Sequence, residues 1–259
     1  MKTDLLWNID AWKISLVLFV LMIVVTICGK IIETRTRENK KSEKNITETS
    51  GITGLLFFLL AFTFGMSGAG YITRKTNVVE EGTNICTAIL RSDLYPDAER
   101  ALFRKDFKEY LEARIQFFEV GFNRKKMLSS DSLSQVIFSR LWKRASDLSK
   151  NPIHLAATQQ MIPALNMMIN STTLRLEGER AKVPESIVVM LCILSLISAF
   201  YSGYNEGRKG KIDGLVQFGF CLLISVVILF IFDLDRPRRG FVKLDKQNHT
   251  IVELRKKFN

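Results

Sequence analysis

Few residues of this chain have the types and spacing that catalysis requires. The 259 residues include two histidines, His154 and His249, and neither lies in a metal-ligand spacing such as HExxH. Residues 65–69 read Gly-Met-Ser-Gly-Ala, one residue short of the GxSxG nucleophile pattern, and no strand pattern precedes them. Small residues in an apolar stretch favour close helix packing instead. We therefore expect a protein that is not an enzyme and that needs no cofactor.

Acidic residues supply two further candidates. Glu80 and Glu81 follow an apolar stretch and suit either a solvated surface or ion pairs with Arg74, Arg91 or the C-terminal arginines across an interface. Asp233 and Asp235 could help to hold Ca²⁺, but that ion takes more oxygen ligands than two carboxylates supply. We therefore expect no metal site.

The elements that position these residues are four apolar stretches whose interiors carry no charge. Each is long enough, at about 16 to 21 residues, to cross a bilayer as a helix. This pattern excludes a disordered chain and an ordinary soluble enzyme, and charge-free interiors disfavour a carrier with a carboxylate relay. The spans are Ile14–Gly29, Ile52–Ile72, Pro184–Tyr204 and Gly214–Phe232. The third carries small residues suited to close packing, namely Ser195, Ser198, Ala199, Ser202 and Gly203.

Residues that typically begin and end helices recur between spans two and three. The pattern predicts a helix from span two through Arg91, a second after Pro96, a third from a capping box at residues 132–135 and a fourth from Asn151. No alternating strand pattern appears. The predicted apolar stripes are Phe103, Phe107, Tyr110, Leu111, Ile115 and Phe118; then Leu133, Val136, Ile137, Leu141, Ala145 and Leu148; then Leu155, Ile162, Leu165, Ile169 and Leu176.

The fold class is therefore all-α: an integral membrane protein with four transmembrane helices per subunit and a helical extramembrane domain between spans two and three. An even number of spans places both termini and this domain on one side, which the charge distribution favours as cytoplasmic. The predicted parts are an interfacial segment 1–13, a transmembrane hairpin 14–72, a cytosolic helical domain 73–182, a second hairpin 183–232 and a basic tail 233–259.

The chain is strongly basic. It has 37 Lys and Arg against 26 Asp and Glu, a formal net charge of +11. Such an excess attracts anionic lipid, small anions or nucleic acid. Because no zinc-finger spacing or nucleic-acid motif accompanies it, we expect the lipid bilayer and small inorganic anions as partners and no nucleic acid.

Span two is the best candidate for a pore helix. Phe58, Phe62 and Met66 are one helical turn apart, so copies around a symmetry axis would form stacked apolar rings that gate by dewetting. The alternative is that these side chains face lipid or neighbouring helices.

Two motifs carry a resemblance to a known family. Residues 74–85 read RKTNVVEEGTNI directly after a Phe-rich span, and residues 234–240 read LDRPRRG after the last span. Both resemble segments of the bacterial bestrophin-like family, a domain of unknown function remotely similar to bestrophin anion channels. The likeness covers roughly residues 51–244. The family often has Tyr-Asp before the first motif, whereas Tyr71 is followed here by Ile72.

The resemblance implies a homopentamer in the plasma membrane, the bacterial inner membrane, with cytoplasmic termini and a central anion pore whose neck is built by span two. Phe58 and Phe62 would be the neck positions, with Phe57 and Phe64 as near alternatives. The implied contacts between elements or subunits are Arg74, Glu80, Glu81, Asn84, Asp235, Arg236, Arg238 and Arg239.

Two functions from different classes follow. The first is passive conduction of chloride-type anions through an oligomeric pore. The second is a non-conducting membrane scaffold or sensor whose helical domain binds a partner, because that domain is larger than a pore requires.

Overall fold

The fold consists of helices joined by short connections. The computed structural model describes residues 9–36, 46–121, 123–209, 214–236, 238, 240–242 and 244–258. Within these ranges there is no strand, which confirms the all-α prediction. The α-helices are α1 (Ala11–Thr36), α2 (Ile46–Arg91), α3 (Asp97–Glu119), α4 (Arg124–Leu148), α5 (Leu155–Arg180), α6 (Glu185–Lys209), α7 (Gly214–Leu234) and α8 (Asp245–Glu253).

Short 3₁₀ turns occur at Ser92–Leu94, Pro152–His154 and Leu254–Phe258. Within the described ranges, four stretches are long and apolar enough to cross a membrane, by length and composition. This confirms the predicted number of candidate spans. The helix of span two continues through Arg91, as its sequence predicted.

The chain divides into two compact units. The span unit contains residues 1–70 and 182–236, and the helical unit contains residues 71–181 and 237–259. The division therefore falls inside α2, between Gly70 and Tyr71, so one helix contributes to both units.

Within the span unit, α1 packs along α6 and α7, and its closest approach is to α6. A Cβ added at Gly203 would lie 2.0 Å from the carbonyl oxygen of Thr26, and one added at Gly29 would lie 2.4 Å from that of Phe200. Only glycine allows two backbones to come this close. The small-residue stripe of span three is thus a packing surface, on which Ser195, Ser198 and Ala199 are buried.

Polar side chains also connect the span helices. The Gln217 side-chain amide donates to the Thr26 hydroxyl at 3.1 Å, and the Ser202 hydroxyl donates to the Gln217 carbonyl at 2.6 Å. Hydrogen bonds of this kind satisfy polar groups that would otherwise be costly among apolar helices. They cross-link α1, α6 and α7 at one level.

The helical unit has its own apolar core around α3. The stripe predicted on this helix is buried, with Phe118 partly so. The helix follows Pro96, which caps its first turn. Residues from α4, α5 and the C-terminal segment complete the core, including Leu141, Leu165 and Ile251.

Three local predictions in this unit were wrong, and one concerns the stripe on α4, of which Leu133 and Val136 are exposed. Helix α4 begins at residue 124 rather than at the 132–135 capping box, because the side chain of Asn123 accepts a hydrogen bond from the Lys126 amide and caps the helix there. Of the stripe predicted on α5, only Leu165 is fully buried, and Leu155 is exposed. Its buried face instead carries Thr158, Met161, Ala164, Leu165, Met168, Ser171, Thr172 and Arg175.

Candidate functional site

Within the span unit, α2 has two contrasting faces. Leu56, Leu60, Thr63 and Ser67 are buried against the other helices, at the α-helical spacing of three to four residues. Thr63 satisfies its hydroxyl locally by donating to the Leu59 carbonyl at 2.7 Å. The opposite side of the same helix is open.

The open face carries the predicted neck residues. Phe58 and Phe62 are 66% and 56% exposed, the most exposed phenylalanines of this span. Phe57 is less exposed and meets the Phe220 ring edge-on at 6.1 Å between centroids. Phe64 and Met66 are also exposed. The chain thus presents Phe58 and Phe62 to whatever lies beyond it, either lipid or another copy.

Gly65 and Gly68 of this span do not pack against other helices within one chain. A Cβ added at Gly65 or Gly68 would meet no atom within 4 Å. Of the stretch 65–69, predicted to pack closely with helices, Ser67 is buried inside the subunit, whereas Gly65 and Gly68 have open space beside them. An explanation for these glycines has to lie outside the chain.

Within the helical unit, Glu81 is the centre of a buried ion network. It is 0% exposed. Its carboxylate accepts hydrogen bonds from Arg114 Nε at 2.6 Å and from Arg175 Nη1 at 2.5 Å. Arg114 also pairs with Asp131 at 3.1 Å. Three helices, α2, α3 and α5, are therefore joined at one carboxylate, with α4 linked through Asp131.

Aromatic rings complete the surroundings of both guanidinium groups. Arg114 lies over the Phe117 ring at 4.5 Å from its centroid, and Arg175 lies over the Phe118 ring at 3.6 Å. A cation above a ring face is stabilised by the negative potential of the ring. Burial alone would lower the pKa of Arg114, but Glu81, Tyr110 and Asp131 together outweigh it and the pKa is raised. Arg114 therefore stays charged.

The partners of Glu81 differ from those expected. Sequence reasoning suggested Arg74, Arg91 or the C-terminal arginines, whereas the structure places Arg114 and Arg175 there. Arg74 instead donates to the Ala181 carbonyl at 3.0 Å. Glu80, the neighbour of Glu81, is exposed. The two glutamates of the motif thus lie on different faces of α2.

A ladder of side chains fixes α2 against α5. Asn77 donates to the Leu174 carbonyl at 3.1 Å, and Asn84, a predicted contact residue, donates to the Met167 carbonyl at 3.3 Å. Arg91 donates to the Gln160 carbonyl one step further on. Donors and acceptors both recur every seven residues, which brings the same helix face back after two turns. The heptad Asn77, Asn84, Arg91 is a signal that sequence reasoning missed.

The C-terminal motif contributes contacts in both units. In the span unit, Asp235 accepts a hydrogen bond from the Val183 amide at 2.7 Å, and Arg236 donates to the Ile9 carbonyl. In the helical unit, Arg238 pairs with Glu179 at 2.8 Å and donates to the Phe117 carbonyl at 2.9 Å. The motif therefore ties together chain segments that are distant in sequence. Arg239 lies outside the described residues.

The acidic pair near the end of α7 does not form part of a metal-ligand cluster. Asp233 and Asp235 are both buried. No group of three or more His, Cys, Asp or Glu side chains that could hold a metal ion occurs among the residues that the structure describes. The geometry of Asp235 instead identifies it as an acceptor for the backbone that leads into α6.

Comparison with known proteins agrees with the two motifs. Residues 16–248 match the bestrophin-like domain family, so the match covers most of the chain and begins within the first of the four apolar stretches. No curated protein and no solved structure that was compared is significantly similar to the chain. The match and the four apolar helices make the chain a multi-pass membrane protein.

Proposed function

Because the chain belongs to the bestrophin-like domain family, we propose that it is an ion channel that conducts small, chloride-type anions passively. Five copies surround a central pore, and each contributes α2. Phe58 and Phe62 form an apolar neck. The protein resides in the bacterial plasma membrane with both termini in the cytoplasm, and no cofactor or enzymatic step is involved.

The observation that carries this proposal is the open aromatic face of α2. Phe58 and Phe62 project from the side opposite the buried Leu56 and Leu60. Rings of apolar side chains can gate a pore by resisting hydration, and this needs no charged residue in the spans. Gly65 and Gly68, open within one chain, suit the close approach of a second copy.

Electrostatics supports anions as the conducted species. The net charge of +11 raises the concentration of anions near the protein. Selectivity that arises from such a field decreases with ionic strength, because the Debye length is about 10 Å at 0.1 M salt and about 3 Å at 1 M.

The experiment is current measurement on purified protein in a planar bilayer under a chloride gradient. We expect the current to reverse at a voltage with the sign of the chloride equilibrium potential under this gradient. Phe62→Ala removes the neck ring and should raise the conductance. Phe230→Ala is the matched control, since Phe230 is similarly exposed, at 43%, but lies on α7.

Two results contradict the proposal. The absence of current from both wild type and Phe62→Ala would contradict the proposal that the protein is a channel. Equal conductance changes in Phe62→Ala and Phe230→Ala would show that the neck is not formed by α2. Mass measurement of the detergent-solubilised particle tests the assembly, because a monomer has no ring.

A second candidate function rests on a cleft in the helical unit. Leu133, Val136 and Ile137 of α4 face Ala113 of α3 across a cleft of about 700 Å³. Leu133 and Val136, which the sequence placed in a buried stripe, are exposed there. Such a cleft suits a partner helix. Silent flux assays, together with a purified partner whose binding is lost in Val136→Glu, would favour the scaffold function.

A further inference from the structure

The cleft between α3 and α4 has an apolar floor and apolar walls. Ala113 and Ile137 form the floor and are buried, at 1% and 3% exposure, whereas Leu133 and Val136 lie beside it at 49% and 66% exposure. The cleft is concave, with a volume of about 700 Å³. A groove of this kind accepts the apolar side chains that a second helix carries at three- and four-residue spacing. Its shape therefore favours a helix over a flat bilayer surface as the occupant.

The charges around the apolar residues of α4 have one sign. The exposed charged residues of α4 from residue 125 to residue 143 are all basic, namely Lys125, Lys126, Arg140 and Lys143. Asp131, the acidic residue of this stretch, is buried and pairs with Arg114. Asp147, further along the helix, pairs with Lys150 at 2.9 Å. To a partner, α4 therefore offers positive charge and no uncompensated carboxylate.

Two of these basic residues lie on the same face of α4 as the cleft. Lys126 precedes Leu133 by seven residues, and Lys143 follows Val136 by seven. Seven residues are about two turns of an α-helix, so each lysine continues the line of an apolar residue that borders the cleft. Positive charge is thus present beyond both ends of the apolar part of α4.

The carboxylates on the α3 side of the cleft already have basic partners within the chain. Glu109 pairs with Arg140, and Glu112 pairs with Arg255 at 2.7 Å. Glu119, at the end of α3, interacts electrostatically with the same Arg255. These acidic residues therefore do not cancel the charge of the lysines on α4.

We infer that the cleft binds an acidic amphipathic helix of a partner protein, whose apolar stripe contacts Leu133 and Val136 and whose carboxylates pair with Lys126 and Lys143. Lys108, exposed at the α3 edge of the cleft, provides a further positive contact. Complementary charges across an interface increase both its specificity and its rate of association. This inference rests on the second candidate function and deepens it by naming the chemistry of the partner, and it does not depend on conduction.

The test measures the binding of fluorescein-labelled synthetic helices to the full-length protein in nanodiscs of neutral lipid, by fluorescence anisotropy. One peptide of about 18 residues carries leucines at three- and four-residue spacing with glutamates on both flanks, and the matched peptide carries lysines in place of the glutamates. We expect the acidic peptide to bind about fivefold more tightly than the basic one at about 0.05 M salt, and the preference to weaken at about 1 M salt. Nanodiscs without protein are the blank.

Charge reversal gives the sharpest variant. Lys126→Glu combined with Lys143→Glu changes two exposed side chains and should reverse the preference in favour of the basic peptide. Val136→Glu should weaken the binding of the acidic peptide by about tenfold or more, because it places a carboxylate among the apolar contacts. Leu174→Glu is the matched control and should bind as wild type does, since Leu174 is 52% exposed but lies on α5.

Each contrary outcome has its own meaning. Absence of saturable binding of the acidic peptide up to about 1 mM overturns the inference, and conduction is judged separately by the current. Equal affinity for the two peptides, or no reversal after the charge change, overturns the acidic partner and leaves a cleft that binds helices of either charge. An equal loss in Leu174→Glu and Val136→Glu overturns the placement in the cleft. Displacement of the acidic peptide by vesicles of anionic lipid assigns this face to a bilayer surface and also overturns the inference.

Discussion

Replacement of Glu81 by Gln should destabilise the helical unit far more than the same change at Glu80. The variant keeps the size of the side chain and removes its charge. Arg114 and Arg175 would then be buried, at 1% and 4% exposure, without the carboxylate that lies 2.6 and 2.5 Å from them. Arg114 retains Asp131 at 3.1 Å, but Arg175 loses the carboxylate that pairs with it at 2.5 Å and keeps only the weaker influence of Glu179.

The magnitude follows from the burial of all three groups. Removing one member of a buried ion pair costs about 3–5 kcal/mol, because the remaining charge is left without compensation. The glutamine can still accept one hydrogen bond and Arg114 keeps a partner, so we expect about 3 kcal/mol. At about 4 °C per kcal/mol for a domain of this size, the melting temperature should decrease by about 12 °C. Glu80→Gln should stay within about 0.5 kcal/mol of wild type.

The assay is thermal melting of the full-length protein in detergent, followed by circular dichroism and by tryptophan fluorescence, to which Trp142 of α4 contributes. A double variant, Glu81→Gln with Arg175→Met, should recover part of the loss, because it removes the uncompensated charge. Equal melting temperatures for Glu81→Gln and Glu80→Gln would refute the reasoning. A double variant less stable than the single one would show that shape, not charge, holds the three helices.

Three further predictions concern packing, titration and capping. Gly203→Ala should lower the melting temperature sharply, whereas Gly219→Ala, at a glycine of α7 with open space around it, should raise it slightly because alanine favours helix by about 1 kcal/mol; equal shifts would contradict the close contact. Burial raises the pKa of Tyr110 to about 12. The stability that the neutral Tyr110 hydroxyl contributes is therefore present below a pH of about 10 and is lost as the pH rises through about 12. Ultraviolet titration of wild type minus that of Tyr110→Phe should show this late step. Asn123→Ala should cost about 1 kcal/mol in the same melting assay.

The hydropathy pattern and the residues that begin and end helices predicted much of this fold. The four apolar stretches appear as helices because charge-free runs of that length have no other stable use of their backbone polar groups in a bilayer. The stripe of α3 was also predictable, since Phe103, Phe107 and Tyr110 recur at the helical spacing and all three are buried. These signals are local.

The ion network was not predictable, since its members are far apart in the chain. Arg114 lies 33 residues from Glu81, and Arg175 lies 94 residues away. Many arginines of the chain could have been the partner of Glu81, and the motif itself indicated only that Glu81 needs a partner. Whether Phe58 and Phe62 surround a pore depends on contacts between copies, which one sequence specifies only indirectly.

The buried face of α5 misled sequence reasoning for a different reason. Apolar periodicity selects leucine and isoleucine, but this helix buries Thr158, Thr172 and Arg175, which find hydrogen-bond partners in neighbouring helices. Leu155 and Leu174 are left exposed. Polar residues with satisfied partners pack as well as apolar ones, and a hydrophobicity count does not detect them.

The contact of α1 with α6 has a consequence for where ions can travel. At Gly29 and Gly203 the two backbones touch, so no hydrated ion and no acyl chain fits between these helices. The contact between α1 and α6 therefore leaves no passage between these two helices in a single protomer. The proposed conduction therefore does not run between α1 and α6, and dilution that separates the copies around the proposed pore should abolish it without unfolding a single helix.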